Sequence, residues 1–253
     1  IQLEQHKTVE IALNEARKYS NFTLLREHIV SKVDNKEEMV EVTIDLPNNE
    51  VKKICGRFLI GCDGGKSYIR KSQGIDFPGF TWEERFLILA SYFDYEKADN
   101  YRYRNYLSGK ETWCSVFKIP GPKGSGMWRN LFPVTQDISE REVISDGYVN
   151  NQIKSCFPYI DKIDVVDKNL YSVHQRVANK FTKGRVILAG DAAHVNNPLG
   201  GMGMNSGIHD GLNIAEKISK LWNNSSLDFD KILSLYDRQR RPLAKKYVQA
   251  QSI

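Results

Sequence analysis

The stretch GRVILAGDAAHVNNPLGGMGMNSGIHDGL, residues 184–212, decides the fold of this chain. Residues 185–190 form a short segment that is apolar after Arg185, which is typical of a parallel strand that is buried on both faces. The run ends at Gly190 and Asp191, where a glycine lets the backbone turn close to a ligand and a carboxylate can accept hydrogen bonds from sugar or polyol hydroxyls. Open α/β sheets bind ligands at the carboxyl ends of their strands, so both residues are predicted ligand contacts.

A glycine-rich turn leads from this strand into a predicted helix. Gly200, Gly201 and Gly203 expose successive backbone N–H groups at the start of the helix, an end that carries a positive partial charge and can hold an anion. A glycine-rich connection that only packs the helix on the sheet is the alternative, but the length of the whole stretch favours a ligand site. The helix has apolar residues at i, i+3 or i+4 steps, which indicates an amphipathic helix. These residues are Ile208, Leu212, Ala215, Ile218 and Trp222.

A second strand of the same kind occurs earlier in the chain. Residues 58–62 form another continuous apolar run, which ends at Asp63, Gly64 and Gly65. Such a run again suits a parallel strand that is buried on both faces. Upstream of it, the sequence predicts a helix over residues 5–19 and strands over residues 22–25, 27–33, 39–46 and 51–54.

The middle of the chain, residues 75–171, differs in character because it is rich in aromatic residues and short strand-like segments. Strands are predicted over residues 86–93, 101–107, 112–119 and 127–133, and a helix over residues 140–155. Glycine- and proline-containing loops separate the segments, and this pattern favours an antiparallel sheet. The chain is therefore predicted to be an α/β domain interrupted by a mostly β one.

Composition and charge argue against several classes of protein. Of the 253 residues, 41% are hydrophobic and 26% are charged, which supports a folded core rather than disorder. The formal charge is +5 and the basic residues are scattered, whereas nucleic-acid binding gathers them on one face. The one dense basic cluster is predicted to be a solvated helical face interrupted at Pro242, with a phosphate-binding patch as the alternative. Its members are Arg238, Arg240, Arg241, Lys245 and Lys246.

The four cysteines have neither CxxC spacing nor a histidine at metal-ligand spacing, so no metal site is predicted. They are Cys55, Cys62, Cys114 and Cys156. Their apolar neighbours predict buried, reduced thiols, which points to the cytoplasm. No apolar run approaches the length of a membrane span, and no signal peptide is visible.

Three motifs resemble one family of enzymes. Residues 184–218 closely resemble the flavin-binding signature of the single-component aromatic hydroxylases, the family of para-hydroxybenzoate hydroxylase and phenol hydroxylase. Residues 171–178, YSVHQRVA, look most like the branch of 3-(3-hydroxyphenyl)propionate hydroxylase. Residues 56–70, GRFLIGCDGGKSYIR, match the second signature of the family, which is usually assigned to both FAD and the pyridine nucleotide. The middle of the chain is similar to the family only in its β-rich character.

The resemblance implies an α/β fold, in which an incomplete Rossmann-like FAD-binding domain carries an inserted antiparallel β substrate layer. The first part of the FAD-binding domain is expected over residues 1–74. The β-rich substrate-binding domain is expected over residues 75–172. The second part of the FAD-binding domain, with a following helix, is expected over residues 173–253.

The resemblance also implies roles for individual residues. Asp191, next to Gly190, would bond the ribityl chain of FAD, and Pro198 would lie near the isoalloxazine ring. Asp63 and Gly64 would help to hold the cofactor region and the path of NADH or NADPH. Backbone amides at the start of the helix would meet the O2/N1 edge of the flavin, where they would stabilise negative charge. These amides belong to the segment that contains Gly201, Gly203, Met204 and Asn205.

Four polar residues near the motifs have two interpretations each. Arg70 either supports a pyrophosphate or lies on the surface. His174 and His194 are predicted to be structural hydrogen-bonding residues rather than catalytic bases. Asp210 lies in the first turns of the helix, where a carboxylate is favoured whether or not it has a function.

Alternating tyrosines and arginines occupy the predicted strand over residues 101–107. Tyr101 and Tyr103 are expected on one face, and Arg102 and Arg104 on the other. They could contact an aromatic carboxylate substrate, but a packed strand is the preferred interpretation. No side chain in the chain can be assigned as a catalytic acid or base.

The first signature of the family, GxGxxG after an opening strand, is missing from the sequence. The chain also begins at Ile1 on a helical pattern and ends at Ile253 within another. These features predict a fragment that lacks its first βαβ unit. We therefore expect the segment alone to bind FAD poorly.

The function implied by the resemblance is that of an FAD-dependent monooxygenase. It would hydroxylate a phenolic or related aromatic compound with NADH or NADPH and O2. The partners expected are an aromatic small molecule, O2 and, as a homodimer, a second copy of the chain. Another FAD-dependent oxidoreductase on the same scaffold, a reductase or halogenase, is one alternative. A truncated, non-catalytic fragment is the other.

Overall fold

The computed structural model describes residues 5–108, 112–121, 124–198, 201–224 and 226–250, with only the backbone for 247–250. The helices are α1 Gln5–Ala16, α2 Tyr68–Ser72, α3 Tyr95–Asp99, α4 Glu140–Val143, α5 Asp146–Cys156, α6 Gly203–Asn223 and α7 Phe229–Ala250. The strands are β1 Ile29–Asn35, β2 Val40–Asp45, β3 Val51–Gly56, β4 Leu59–Gly61, β5 Gly79–Ser91, β6 Arg104–Ser108, β7 Trp113–Ile119, β8 Met127–Val134, β9 Val165–Val177, β10 Thr182–Lys183, β11 Val186–Leu188 and β12 His194–Val195.

The chain divides into two compact units. One consists of the residues up to Leu24 together with Trp82–Val173, and the other of Leu25–Thr81 together with His174–Ile253. The second unit contains both glycine-rich motifs. The predicted α/β class with antiparallel sheets is confirmed. The assignment of the three segments to cofactor and substrate domains stays a prediction.

The motif-bearing unit is built on a small sheet of order β10-β11-β4. Strands β11 and β4 are parallel, with Val186 opposite Leu59 and Leu188 opposite Gly61, as their apolar runs predict. All three residues of β11 are buried, whereas Ile60 of β4 is 40% exposed. Burial on both faces is therefore wrong for β4, because the side chain of Ile60 faces an open cleft and not the core.

A second sheet in this unit has the order β1-β2-β3 and is antiparallel throughout. It confirms the strands predicted between residues 27 and 54. The strand predicted over residues 22–25 is wrong: these residues are exposed and form no strand. Cys55 lies exposed in β3 and Cys62 lies exposed after β4, so the prediction of buried thiols is wrong for both. All four cysteines are free.

Helices α6 and α7 pack against the buried strand β11. Tyr236 and Ala244 of α7 are both in the core, on either side of Pro242. The helix continues through the proline, although the ring removes one backbone donor. The predicted interruption at Pro242 is therefore wrong, because buried residues on both sides hold the helix in place.

The other unit contains an antiparallel sheet, with strands in the order β5-β8-β7-β6 and β9 next to β5. This confirms the antiparallel layer predicted for the middle of the chain. The helix predicted over residues 140–155 is two helices, α4 and α5, because the Ser145 side chain accepts a hydrogen bond from the Tyr148 amide and starts a new helix. Cys114 is buried in this unit, and Cys156 is partly buried. No described helix is long and apolar enough to cross a membrane.

The alternation predicted for residues 101–107 is wrong, because β6 begins only at Arg104. Tyr101 lies before the strand and packs edge-on against Tyr95 and Phe157. Tyr103 is 67% exposed. The two tyrosines therefore do not share one face of a strand.

Candidate functional site

A cleft of about 630 Å³ opens where β4 and β11 end, beside one face of α6. Gly64 lines it beyond β4, and Gly190 and Asp191 line it beyond β11. Met204 and Gly207 face it from the first turns of α6. The two predicted strand-end turns and the start of the predicted helix thus meet at one cleft.

The turn after β11 presents a free carboxylate at the cleft. Gly190 has a φ of +56°, in the left-handed region where a side chain is disfavoured. Asp191 is exposed, and it accepts no hydrogen bond from any residue that the structure describes. An unpaired acceptor at the rim of a cleft can bind the hydroxyl groups of a polyol.

The start of α6 carries backbone donors that the helix itself does not use. The first helical hydrogen bond runs from the Ser206 amide to the Met202 carbonyl, at 2.8 Å. The amides of Gly203, Met204 and Asn205 therefore lie ahead of the helical hydrogen bonds. Asn205 extends its side-chain amide to the carbonyl of Gly201, at 2.9 Å.

Several predicted site residues lie outside the lining of the cleft. Pro198 is exposed, and Gly201 has a φ of +63°. Gly200 lies outside the described residues. Asp63 is already paired, since its carboxylate accepts hydrogen bonds from the Ser67 hydroxyl at 2.5 Å and from the Ile69 amide at 3.0 Å. Its carboxylate therefore caps α2, while Gly64 beside it faces the cleft.

Arg70 ties the two strand-end turns together. It is only 3% exposed, so its interpretation as a surface residue is wrong. Its two terminal nitrogens donate to the carbonyls of Ala192 at 2.9 Å and Gly65 at 2.8 Å. The guanidinium also lies 3.8 Å from the centre of the Phe77 ring. Both terminal nitrogens of Arg70 are thus used in hydrogen bonds to backbone carbonyl groups of this unit.

Asp210 is fully buried in α6 and accepts hydrogen bonds on both carboxylate oxygens. Its donors are the Gly190 amide at 3.0 Å, His194 Nε2 at 2.8 Å and Arg240 Nε at 2.6 Å. Burial alone would raise the pKa of this carboxyl group. The hydrogen bonds from His194, Arg240 and Gly190 outweigh burial, and the pKa lies below its ordinary value of 3.8.

These contacts bear on the interpretation of three polar residues. His194 is hydrogen-bonded to Asp210, and His174 Nδ1 lies 2.8 Å from the Thr81 hydroxyl, so both have hydrogen-bond partners, and their structural rather than catalytic role stays a prediction. Arg240 belongs to a partly buried ion pair, so the prediction of a solvated face is wrong for it. Sequence patterns missed Arg240 because its partner Asp210 lies on another helix.

The apolar stripe predicted on α6 faces the cleft rather than the core. Ile208, Ala215 and Ile218 line the cleft, and Leu212 and Trp222 are 65% and 66% exposed. The buried residues of α6 are Asp210, Ile214, Lys217 and Leu221. Small residues at four-residue steps, Gly207, Gly211 and Ala215, were the available signal for the cleft face.

Comparison with known proteins gives a consistent result. The profile of the protein family described as "FAD binding domain" matches residues 2–251. The chain is 29% identical to the para-nitrophenol 4-monooxygenase of Pseudomonas sp. (strain WBC-3) over 246 residues, which are 94% of this chain and 58% of that protein. It is 30% identical to a 3-(3-hydroxy-phenyl)propionate/3-hydroxycinnamic acid hydroxylase of Mycobacterium avium (strain 104) over 192 residues, 76% of this chain and 32% of that protein.

A similar structure has also been solved. The p-nitrophenol 4-monooxygenase PnpA of Pseudomonas putida DLL-E4 superimposes with a TM-score of 0.86 at 29% identity. The superposition covers 97% of this chain and 61% of that one. The chain thus spans between 32% and 61% of the lengths of these relatives.

Proposed function

The chain belongs to the FAD-binding domain family, and we propose that its cleft holds the ribityl and isoalloxazine part of FAD. We further propose that the chain serves the hydroxylation of a phenolic ring with NAD(P)H and O2. The observation that carries the proposal is the exposed Asp191 carboxylate beside Gly190, which accepts no hydrogen bond from the described residues and lies at the carboxyl end of a parallel strand. Ligands of open α/β sheets bind at this position.

The lining of the cleft fits a planar ring and a polyol chain. An added Cβ at Gly64 or Gly211 would meet nothing within 4 Å, so both glycines border open space. Gly207 and Ala215 have little or no side chain, so they leave space in the cleft along this face of α6. Pockets for cofactors are usually largely apolar with few polar groups, and Asp191 is such a group here.

The residues of the cleft have distinct tasks in this proposal. Asp191 accepts hydrogen bonds from the ribityl hydroxyls and orients the chain of the cofactor. The amides of Gly203, Met204 and Asn205, which have no acceptor among the described residues, stabilise negative charge at the pyrimidine edge. Gly64 keeps the approach beyond β4 open. The bound flavin supplies electron transfer from NAD(P)H and the activation of O2.

The substrate proposal rests on the relatives. The names of two of them specify a nitrophenol and a 3-hydroxyphenyl acid, and both compounds are phenols with one further substituent. We therefore propose a substituted phenol as the substrate and the β-rich segment over residues 75–172 as its binding layer.

The free thiols support a cytoplasmic location.

Protection of Cys62 tests the cofactor site directly. Cys62 lines the cleft, and Cys55 is an exposed thiol on β3 outside it. FAD should slow the labelling of Cys62 by N-ethylmaleimide at least several-fold, with labelling of Cys55 unchanged, as measured by peptide mass spectrometry. Equal labelling of Cys62 with and without saturating FAD would place the cofactor elsewhere.

Product analysis tests the reaction. NAD(P)H consumption is followed over a panel of substituted phenols, and the products are examined for the mass of one added oxygen atom. Oxygen added to the ring supports hydroxylation. Consumption of NAD(P)H without an oxygenated product identifies a reductase instead.

A further inference from the structure

We propose that Asp210 is a positioning residue for the cofactor, and that the buried network of Asp210, His194 and Arg240 sets the place of the turn that carries Asp191. This inference rests on the proposed function, because it concerns the same cleft. Asp210 itself does not line the cleft. It acts through the backbone of Gly190, which precedes Asp191 in the chain.

In the described structure, every group that is hydrogen-bonded to the Asp210 carboxylate is a donor. Asp210 is 0% exposed, and each of its oxygens receives at least one hydrogen bond. The donors come from three different segments: the turn after β11, strand β12 and helix α7. Three hydrogen bonds to a buried carboxylate restrict its position, and they restrict the positions of the three donor groups as well.

The hydrogen bond to Gly190 fixes the turn at close range to α6. A Cβ added to Gly207 would lie 3.4 Å from the Gly190 Cα, so the turn and the helix approach each other closely through glycines. The Asp210 carboxylate lies one turn further along the same helix and binds the Gly190 amide at 3.0 Å. The distance between the turn and α6 therefore depends on Asp210, and so does the position of Asp191.

Arg240 extends the network to the other part of the cleft. Its Nε donates to Asp210, while its Nη2 lies 3.2 Å from both the carbonyl and the hydroxyl oxygen of Ser206. Ser206 belongs to the first turn of α6, which carries the free amides. One guanidinium from α7 therefore holds the Asp210 carboxylate and the helix start in one arrangement.

Substitution of Asp210 by Asn isolates this role with little change in volume. An amide has one acceptor and one donor end, whereas every group that faces Asp210 in the described structure is a donor. In either orientation its NH2 group faces a donor. The neutral tautomer of His194 can offer an acceptor, but the Gly190 amide and Arg240 cannot.

The matched control is Asp237→Asn on α7. Asp237 also ties this helix to the rest of the unit, since its carboxylate accepts hydrogen bonds from the Phe181 amide at 2.7 Å and from Arg241. Among the described residues, its carboxylate has no hydrogen bond to the turn after β11. The control therefore weakens hydrogen bonds to a partly buried carboxylate on α7 but leaves the hydrogen bond between Asp210 and the Gly190 amide in place.

The test uses the chain as it stands and two measurements. FAD affinity is measured by flavin fluorescence, and hydrogen exchange of the peptide that contains Gly190 is measured without FAD. Asp210→Asn should weaken FAD binding at least tenfold and speed exchange at Gly190 at least tenfold. Asp237→Asn should leave both within twofold, and Arg240→Lys, which loses the planar fork, should move both in the direction of Asp210→Asn.

The outcomes separate the two proposals. If FAD does not bind the unaltered chain, the proposal that the cleft of this chain holds FAD by itself fails, and exchange at Gly190 alone decides whether Asp210 positions the turn. If the unaltered chain binds FAD and Asp210→Asn binds it within twofold, the positioning role is wrong. An equal loss in Asp237→Asn would also overturn it, because the effect would then be one of general stability. If Asp210→Asn does not fold, Arg240→Lys takes its place in the comparison.

Discussion

Two aspartates at the cleft have the same side chain and opposite environments. Asp191 is exposed and accepts no hydrogen bond from the described residues, whereas Asp210 is fully buried and accepts three. A carboxylate of the first kind is available to a ligand. One of the second kind has its acceptor capacity used within the protein. The residue type alone does not distinguish them, but the surrounding donors do.

The lowered pKa of Asp210 predicts how its contribution to stability depends on pH. Because the folded pKa lies below the ordinary value of 3.8, the ionised group stabilises the fold above pH 3.8. The stabilisation is lost as the pH falls through the lower, folded pKa. We expect Asp210→Asn to reduce the free energy of unfolding by about 3 kcal/mol at neutral pH. This difference should shrink below pH 3.8, as measured by urea unfolding between about pH 3 and pH 7.

An exposed acidic residue provides the control for this pH series. Glu15, near the end of α1, pairs with Lys18 just beyond the helix, and the Glu15 side chain is 63% exposed. Glu15→Gln should change the free energy of unfolding by less than about 0.5 kcal/mol at every pH. A difference for Asp210→Asn that grows toward low pH would contradict the lowered pKa.

At the scale of the element, α6 has two working faces. One face packs Leu221 into the core, and another lines the cleft with Ile208, Gly211 and Ala215, while Ile214 lies between them and contacts both. A helix with apolar residues on both sides is normally buried on both. Here the second face borders open space, and its glycines and alanine keep that space clear.

Gly211→Leu should separate cofactor binding from folding. The new side chain would project from α6 into the cleft, where a Cβ meets nothing within 4 Å. We expect FAD affinity to fall at least tenfold. The free energy of unfolding should stay unchanged or rise by up to about 1 kcal/mol, because glycine is a poor helix former. Fluorescence titration and urea unfolding measure the two effects.

Gly147→Leu is the matched variant on α5. Gly147 is also an exposed helical glycine with nothing within 4 Å of an added Cβ, but it lies outside the cleft. It should retain full FAD affinity. If Gly211→Leu binds FAD as tightly as Gly147→Leu does, the face of α6 is not a cofactor surface.

The first residue of β5 makes a second test at this scale. Gly79 has a φ of +145°, and an added Cβ would lie 2.0 Å from the carbonyl oxygen of Gln175. Gly79→Ala should therefore lower the free energy of unfolding by more than about 3 kcal/mol. Gly74→Ala, at a φ of +62° with nothing within 4 Å, should cost only about 1–2 kcal/mol. Equal losses in urea unfolding would show that the contact at Gly79 is relieved by movement of the backbone.

Local sequence patterns were sufficient for the strands and turns of the cleft. The apolar runs predicted β4 and β11 as parallel strands, which they are, although only β11 is buried throughout. The turns at Gly64 and Gly190 followed because glycine and aspartate end such strands. Pattern could not decide which face of α6 is covered, since periodicity reveals a stripe of residues but not what lies against it.

The side-chain contacts that support the cleft could not be predicted from local sequence patterns, for a different reason. Arg240 binds Asp210 from another helix, and Arg70 binds the Ala192 carbonyl from the other glycine-rich motif. Such pairs are separated by long stretches of chain, and any of the many arginines could have supplied them. Only the packing of the folded unit selects the partner.

At the scale of the whole molecule, charge predicts how the cofactor associates. The chain has a formal charge of +5, and FAD carries an anionic diphosphate. Positive charge speeds the encounter with an anion, and salt screens the attraction, with a Debye length of about 30 Å at 0.01 M and about 10 Å at 0.1 M. We expect the association rate of FAD to fall several-fold over this range in stopped-flow fluorescence. Riboflavin has no phosphate and should show little change, and an equal salt effect on both would exclude electrostatic attraction.

The position of β4 at the end of its sheet affects how the chain behaves in concentrated solution. Its outer edge offers backbone donors and acceptors that no described strand uses, and Ile60 beside it is 40% exposed. An open strand edge with apolar neighbours is a template for pairing with another chain. Handling the protein at high concentration will therefore favour edge-to-edge association.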